Sequence, residues 1–326
     1  MEASEKLNLV LNNVAEPLDE FVITMDELKE LVFSGEKIRS YCGYEPSGPI
    51  HIGYFPSMFK AIEISKIGIV IILLADIHAF INHKGPLEMI QDLATNYWIP
   101  VFKAFGVNAK YMLGSEFQTS SNYIRSLYAL SRRVSMSRAI KAVTMILRET
   151  KEMDVGAAMY PLMQVLDIIH LNLNLAFGGT DQRKIHALLR DVVTKELAEE
   201  LGLKYEPVVC IHLPMIAGLK AGEKMSSSKP ETHIAVHDSQ DVIRSKMRRA
   251  FCPPDETDPN KNPVFSILRY VIMPYSDKFV VDRPEKYGGP IEYKDISLIE
   301  KDFLEKKLHP LDLKNAIAKW IIDRIR

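Results

Sequence analysis

Cysteine is scarce in this 326-residue chain. The three that occur, Cys42, Cys210 and Cys252, lie far apart and form no C-x-x-C pair or Cys/His cluster. That pattern excludes a disulfide framework and a cysteine-built zinc site, and it fits a reducing compartment. Long apolar runs are missing as well: the longest, Ile67 to Ala75, is too short to span a bilayer as a helix. The opening stretch MEASEKLNLV has an acid at position 2 and no extended apolar core, so no secretory signal is read there and a cytoplasmic protein with no membrane partner is expected. Excess charge of either sign is also absent. A formal net charge of -1 argues against bulk affinity for nucleic acid. It leaves room for a local basic strip, Arg132, Arg133, Arg138 and Lys141, whose ordinary reading is a solvated helix face. Internal repeats and low-complexity segments are lacking too.

What is present is an ordinary globular composition, 47% hydrophobic and 25% charged, at a length that allows about two domains. Strand and helix signals alternate through the first two-thirds. Ile38 to Tyr44 is a short mixed run ending in the turn EPSG; a helix-like segment follows Tyr54; Ile69 to Ala75 reads as a strand covered on both faces. A helical stretch from Leu87 to Phe105 precedes a strand at Ala109 to Leu113. This order predicts an α/β protein with a parallel sheet, helices on its faces and ligands beyond the carboxyl ends of its strands. Residues 119–201 read as mostly helical, interrupted at Phe177 to Thr180, and Val208 to His212 offers another strand. The loop from Ala217 to Pro230 contains GEKMSSSKP, the proline-dense stretch 251–263 reads as a linker or boundary, and the remainder to Arg326 reads as mainly helical.

Two stretches carry phosphate chemistry. In EPSGPIHIGY, a turn through Pro46, Gly48 and Gly53 into a helix presents backbone N–H groups and a positive helix end to an anion. His51 sits where its ring can donate to a phosphate, although an H-x-G match alone also fits any core or surface histidine. The second stretch is Lys224-Met225-Ser226-Ser227-Ser228-Lys229. Two lysines around three hydroxyls can neutralise and hydrogen-bond a triphosphate, and a mobile loop can close as charge develops. A polar surface loop is the ordinary alternative for that half, but the pair in this order on an α/β frame is far more specific. A third element is MYPLMQVLDI, where Tyr160, Gln164 and Asp167 fall at i, i+4 and i+7 and so share one helix face among apolar neighbours. Buried polar groups need partners, supplied either by a ligand with an amine and a phenol or by the protein itself.

Together these stretches resemble class I aminoacyl-tRNA synthetases, and more closely the archaeal and eukaryotic tyrosyl-tRNA synthetases. The likeness runs through YCGYEPSGPIHIGY, LLADIHAF, LGSEFQ, MYPLMQVLDI, FGGTDQRKIH, GEKMSSSK, AFCP, RPEKYGG and LHPLDLKNA. It implies a Rossmann-like catalytic domain, residues 1–230, including an acceptor-stem and dimerisation insertion and the KMSSSK loop. A smaller, mainly helical anticodon-binding domain over 231–326 and a homodimer complete the expectation. The implied reaction joins L-tyrosine to ATP, with Mg²⁺ accompanying it, and passes the tyrosyl group to tRNA(Tyr); no protein-bound metal is expected.

By the same resemblance, Tyr41 and Asp167 bind the phenolic hydroxyl, and Tyr160, Gln164 and Gln182 hold the amino-acid end. A site that pairs a hydroxyl rejects phenylalanine because its own groups would be left unpaired, an effect for which tyrosyl-tRNA synthetases are themselves the worked case. His51, Tyr54, Lys224, Ser227 and Lys229 are the expected catalytic residues at the phosphates. Gly43, Gly53 and Asp181 join His51, Lys224 and Ser227 around ATP. Arg132, Arg133, Arg138 and Lys141 match the acceptor-stem region, and Tyr287, His309, Pro310 and Asp312 match positions that receive the anticodon. An exposed aromatic and an acid suit an unpaired base, while His309-Pro310 also reads as a helix start with proline at its first position.

Two positions depart from the family pattern. Tyr54 stands where a second histidine is usual, as in some eukaryotic members, and keeps a hydroxyl that can donate. Pro230 follows KMSSSK where glycine is common and predicts slower loop closure. The tryptophan enzyme is the alternative within the class, disfavoured because Tyr41 with Asp167 suits a phenol better than an indole. A catalytically silent RNA-binding paralogue is the alternative outside it.

Overall fold

A computed structural model describes residues 1–146 and 153–325. The expected helical stretch 119–201 includes residues 147–152, and the expected C-terminal unit ends at Arg326; both lie outside the described residues. The chain forms two compact units. The first comprises Met1–Ser47 and Ser57–Pro214; the second comprises Gly48–Pro56 and Met215–Arg326. This division falls at Pro214 rather than after position 230, and it assigns the EPSGPIHIGY turn from Gly48 onward to the second unit.

The first unit is built on a six-stranded sheet. Its strands are β1 (Val22–Ile23), β2 (Ile38–Tyr44), β3 (Gly68–Leu74), β4 (Lys110–Leu113), β5 (Leu175–Gly179) and β6 (Val209–Leu213), in spatial order β1-β6-β5-β2-β3-β4. All neighbours run parallel except the edge pair β1 and β6. β3 follows from its sequence: Val70 to Leu74 are all buried and aliphatic, as a strand covered on both faces requires. The expected strands at 38–44, 69–75, 109–113 and 208–212 appear within a residue or so. β5 was expected only as an interruption of helix, since LAFGG is short and its two glycines weaken the strand signal; pairing to β2 and β6 overrides that local weakness. Chain order reverses at β2, with β5 on one side and β3 on the other, which makes the ends of β2 and β5 the switch point where ligands bind in such sheets.

Helix Val155–His170 packs inside this unit and is buried along nearly its whole length. Asp154 caps it, accepting from the Ala157 N–H at 2.8 Å. The expected helix at 87–105 is observed as Leu87–Leu93, a π turn and Ile99–Ala104.

In the second unit, helices Gln240–Arg249 and Pro310–Ile325 contact one another, and β7 (Phe279–Val281) pairs antiparallel with β8 (Ile291–Tyr293). The two-stranded ribbon qualifies the mainly helical expectation. The proline-rich 251–263 stretch is no boundary between the compact units: it lies within the second. Asn262, fully buried, donates to the Glu256 carbonyl at 2.7 Å and accepts from the Val264 N–H at 3.0 Å, so the turn is tied to its own unit.

Candidate active site

In the first unit the polar face of helix Val155–His170 meets residues from β2 and from the turn after β5. Asp167 is buried at 1% exposure. Its carboxylate accepts from Gln118 Nε2 at 2.9 and 3.0 Å and from the Tyr123 hydroxyl at 2.7 Å. His78 Nε2 stands 3.7 Å from the same group. Gln164 Nε2 donates to Gln182 Oε1 at 3.0 Å, and Gln182 Nε2 donates to Asp181 Oδ1 at 3.2 Å. Tyr41 on β2 and Tyr160 are buried in the same core cluster, the Tyr160 ring lies 4.6 Å from that of His78, and the carboxyl of Glu45 acts on Tyr160 electrostatically. Thus Tyr41, Tyr160, Gln164, Asp167 and Gln182 do come together. Of the two sources of partners left open by the sequence, the protein itself supplies those of Asp167, through Gln118 and Tyr123, and of Gln164, through Gln182.

Sequence reading missed Gln118, Tyr123, His78 and Glu45. Gln118 and His78 lie within LGSEFQ and LLADIHAF, two of the stretches that carry the family likeness. Gly114 has a steric role in the first of them. A Cβ there would stand 2.5 Å from Gln118 Oε1 and 2.9 Å from its Cδ, so the bare backbone is what lets the carboxamide reach Asp167. Gly114→Ala is expected to displace Gln118 and deprive the buried Asp167 carboxyl of that partner, a stability cost of about 1–3 kcal/mol. Denaturant unfolding checks it, and an unchanged midpoint counts against this packing role.

Burial sets the protonation of the cluster. It drives the Asp167 carboxyl up to about 7, against the downward pull of the Gln118 and Tyr123 hydrogen bonds, while Asp76 pushes the same way as burial. Burial lowers His78 to about 4, so its imidazole is neutral at pH 7 and its contact with Asp167 is no ion pair. Tyr41, Tyr123 and Tyr160 are raised by burial first and by nearby carboxylates next, and remain phenols. An unfolded aspartate titrates near 3.8, whereas folded Asp167 holds its proton to about 7. Across that window the folded state binds the extra proton, so this residue's contribution to stability falls as pH rises. Denaturant unfolding from about pH 4 to pH 7 is expected to reveal a loss on the order of a few kcal/mol at most that Asp167→Asn lacks. Equal pH slopes in the two proteins would refute it.

The second unit holds the phosphate-type residues. His51 and the serine loop, remote in sequence, are adjacent here. Ile52 N–H donates to the Ile234 carbonyl at 3.0 Å and Val236 N–H to the Ile50 carbonyl at 2.9 Å, an antiparallel pairing of the HIGY turn with the segment after the loop. Ser227 Oγ donates to the Pro49 carbonyl at 3.2 Å. A Cβ on Gly48 would lie 2.9 Å from Ser227 Cβ, so glycine permits the approach. His51 is buried, and its Nδ1 accepts the Gly53 N–H at 3.1 Å. That bond fixes the ring proton on Nε2. Burial, then His233 and Lys246, lowers His51 to about 3, so at pH 7 it is a neutral donor and not a cation. Tyr54 lies against it, ring centroids 4.4 Å apart. Lys224 is exposed, Lys229 Nζ pairs with Glu223 at 3.0 Å, and Pro230 opens a short 3-10 turn. Gly43 and Asp181, grouped with these by the sequence, belong to the first unit.

The profile of a family described as tRNA synthetases class I (W and Y) matches residues 34–325. The chain belongs to that family. This class I synthetase is 42% identical over its whole length to a tyrosine–tRNA ligase of Methanopyrus kandleri, covering 97% of that relative. It is 41% identical to a tyrosine–tRNA ligase of Archaeoglobus fulgidus, with 98% of this chain and 95% of the relative aligned. A crystal structure of the tyrosyl-tRNA synthetase from Archaeoglobus fulgidus complexed with L-tyrosine superposes with a TM-score of 0.88 at 40% identity, covering 100% of this chain and 99% of the other. The synthetase is therefore an enzyme with the class I catalytic fold.

Away from these clusters, the synthetase's basic strip is partly neutralised: Arg133 pairs with Glu200 and Arg138 with Asp191, while Arg132 and Lys141 are exposed. Exposed pairs of this kind are worth little and separate readily. In the second unit Tyr287 is 60% exposed, with Lys286 over its ring. His309 accepts the Leu311 N–H through Nδ1 at 3.1 Å, and Pro310 is the first residue of the last helix, as its helix-start reading predicts. Asp312 lies in the first turn. Sequence reading missed Arg283, which donates to the Gly289 and Lys307 carbonyls at 2.7 and 2.9 Å and so joins the Tyr287 turn to the approach of the His309 helix.

Proposed function

We infer that this synthetase is a tyrosine–tRNA ligase. The observation that carries the reading is the buried Asp167, with Tyr41 on the neighbouring strand, in a chain about 40% identical over its full length to tyrosine–tRNA ligases. A buried carboxyl and a buried phenol in one unit suit a substrate hydroxyl, and neither the tryptophan enzyme nor a silent paralogue is favoured. ATP is the co-substrate, with Mg²⁺ entering as part of it, and tRNA(Tyr) is the acceptor.

In the first step the tyrosine carboxylate attacks the α-phosphorus of ATP. A new P–O bond forms as the bond to pyrophosphate breaks. Little covalent work falls to the protein, so positioning and charge stabilisation dominate. Asp167 and Tyr41 orient the phenol; Tyr160, Gln164 and Gln182 hold the amino-acid end. His51 donates through Nε2–H to a phosphate oxygen, with Tyr54, Lys224, Ser227 and Lys229 beside it. Gly43, Gly53 and Asp181 bear on the nucleotide. In the second step a ribose hydroxyl of the terminal adenosine attacks the tyrosyl carbonyl and AMP leaves.

Residues 1–230 act as the catalytic domain and 231–326 as the anticodon-binding domain of a cytoplasmic homodimer. Arg132, Arg133, Arg138 and Lys141 face the acceptor stem; Tyr287, His309, Pro310 and Asp312 receive the anticodon. Pyrophosphate exchange into ATP, with tyrosine, tryptophan or phenylalanine supplied singly, tests the reading. Exchange with tyrosine is expected. Exchange with tryptophan alone overturns it, and exchange with none of the three points to the silent paralogue.

A further inference from the structure

We infer that His233, outside both signature motifs, is a positioning residue for the ATP step: its Nδ1–H clasps the serine loop in the shape from which Ser227 and Lys229 meet the phosphates. The inference rests on the ligase reading above. His233 Nδ1 lies 2.8 Å from the Ser226 carbonyl and 3.2 Å from the Lys229 carbonyl. Both oxygens only accept, so the ring proton sits on Nδ1 and is shared between them.

These carbonyls bracket the turn. The Lys229 N–H donates to the Ser226 carbonyl at 3.0 Å and closes it. The Lys229 carbonyl also accepts the Thr232 N–H at 2.9 Å and hydroxyl at 2.8 Å, while Thr232 Oγ1 accepts the Ser226 N–H at 3.3 Å. Thr232 and His233 are both buried. A buried side chain that bonds both ends of a four-residue turn fixes its peptide planes, and hence the directions of the hydroxyl and ammonium groups it displays.

His233 also couples this turn to the other phosphate segment. Its ring lies 4.9 Å from that of His51, and the next residues, 234–236, pair with residues 50–52. His51 therefore has Tyr54 and His233 as ring neighbours. A second imidazole is present beside His51 although position 54 is tyrosine; it arrives from after the serine loop.

The test uses the full-length enzyme and three variants, with tyrosine-dependent exchange of the unmutated protein first establishing the ligase reading. Asparagine places an amide N–H where histidine has Nδ1–H; phenylalanine keeps the ring without a donor; glutamine moves the donor to the Nε2 position. For His233→Phe and His233→Gln, kcat/KM for ATP is expected to fall about tenfold or more, as for loss of a shared buried hydrogen bond. Tyrosine affinity and thermal midpoint change little. His233→Asn is expected to stay within about threefold of the parent. ATP kinetics unaltered in His233→Phe overturn the inference. Equal damage in His233→Asn overturns the Nδ1 assignment, and parallel loss of tyrosine affinity and thermal stability shows a general structural role instead.

Discussion

Lys224→Ala is expected to lower the rate of tyrosyl-adenylate formation by about 10²- to 10³-fold, the usual cost of removing one preorganised donor to a developing negative charge. The lysine lies in the loop whose Ser227 sits against Pro49 and whose backbone turns beside His51's partner segment. Its cationic head is exposed, so truncation removes no buried contact and leaves folding alone. Tyrosine affinity is expected to stay within about threefold, because truncating Lys224 leaves the hydrogen bonds of Asp167 and Gln164 as they are. Single-turnover kinetics at saturating tyrosine and ATP, beside equilibrium tyrosine binding, separate the two quantities. An unaltered activation rate removes Lys224 from the phosphate site.

The second large effect is on selectivity. Asp167→Ala is expected to shrink the preference for tyrosine over phenylalanine by about a hundredfold or more, because the proposed reading makes this carboxylate the acceptor for the substrate hydroxyl. It also leaves the buried Gln118 amide with only the His78 ring at 3.4 Å, a stability cost of about 1–3 kcal/mol, while the Tyr123 hydroxyl keeps the Met163 carbonyl at 2.8 Å. Asp167→Asn keeps an acceptor oxygen and the volume, so it distinguishes loss of recognition from loss of fold. The KM for ATP is expected to move little in either variant. Unchanged amino-acid selectivity in a folded Asp167→Ala protein would falsify the assignment.

Much of this was legible from local pattern. The aliphatic run of β3 and the i, i+4, i+7 spacing of Tyr160, Gln164 and Asp167 are periodic signals, and both elements form as read. Elements held by partners far along the chain were not. β1 has only two residues and exists through its pairing with β6; β5 depends on β2 and β6 on either side. Gln118 and Tyr123 reach Asp167 from beyond β4, a distance in sequence that no spacing rule encodes. His233 carries no motif at all, and its function is visible only in the two carbonyls it touches. The expected linker at 251–263 misled because proline and charge mark a turn equally well when Asn262 buries it.

The pairing of residues 50–52 with 234–236 has a consequence for dissection of the molecule. The second unit is assembled from two separate lengths of chain, one of them only Gly48–Pro56 and set inside the sequence of the first unit. A fragment beginning at Met215 lacks the strand partner of its own Ile234 and Val236, and one ending at Pro214 carries a HIGY turn with nothing to pair against. During synthesis that turn emerges long before its complement. The second unit is therefore completed only when the later part of the chain has been made, and no single cut releases it whole.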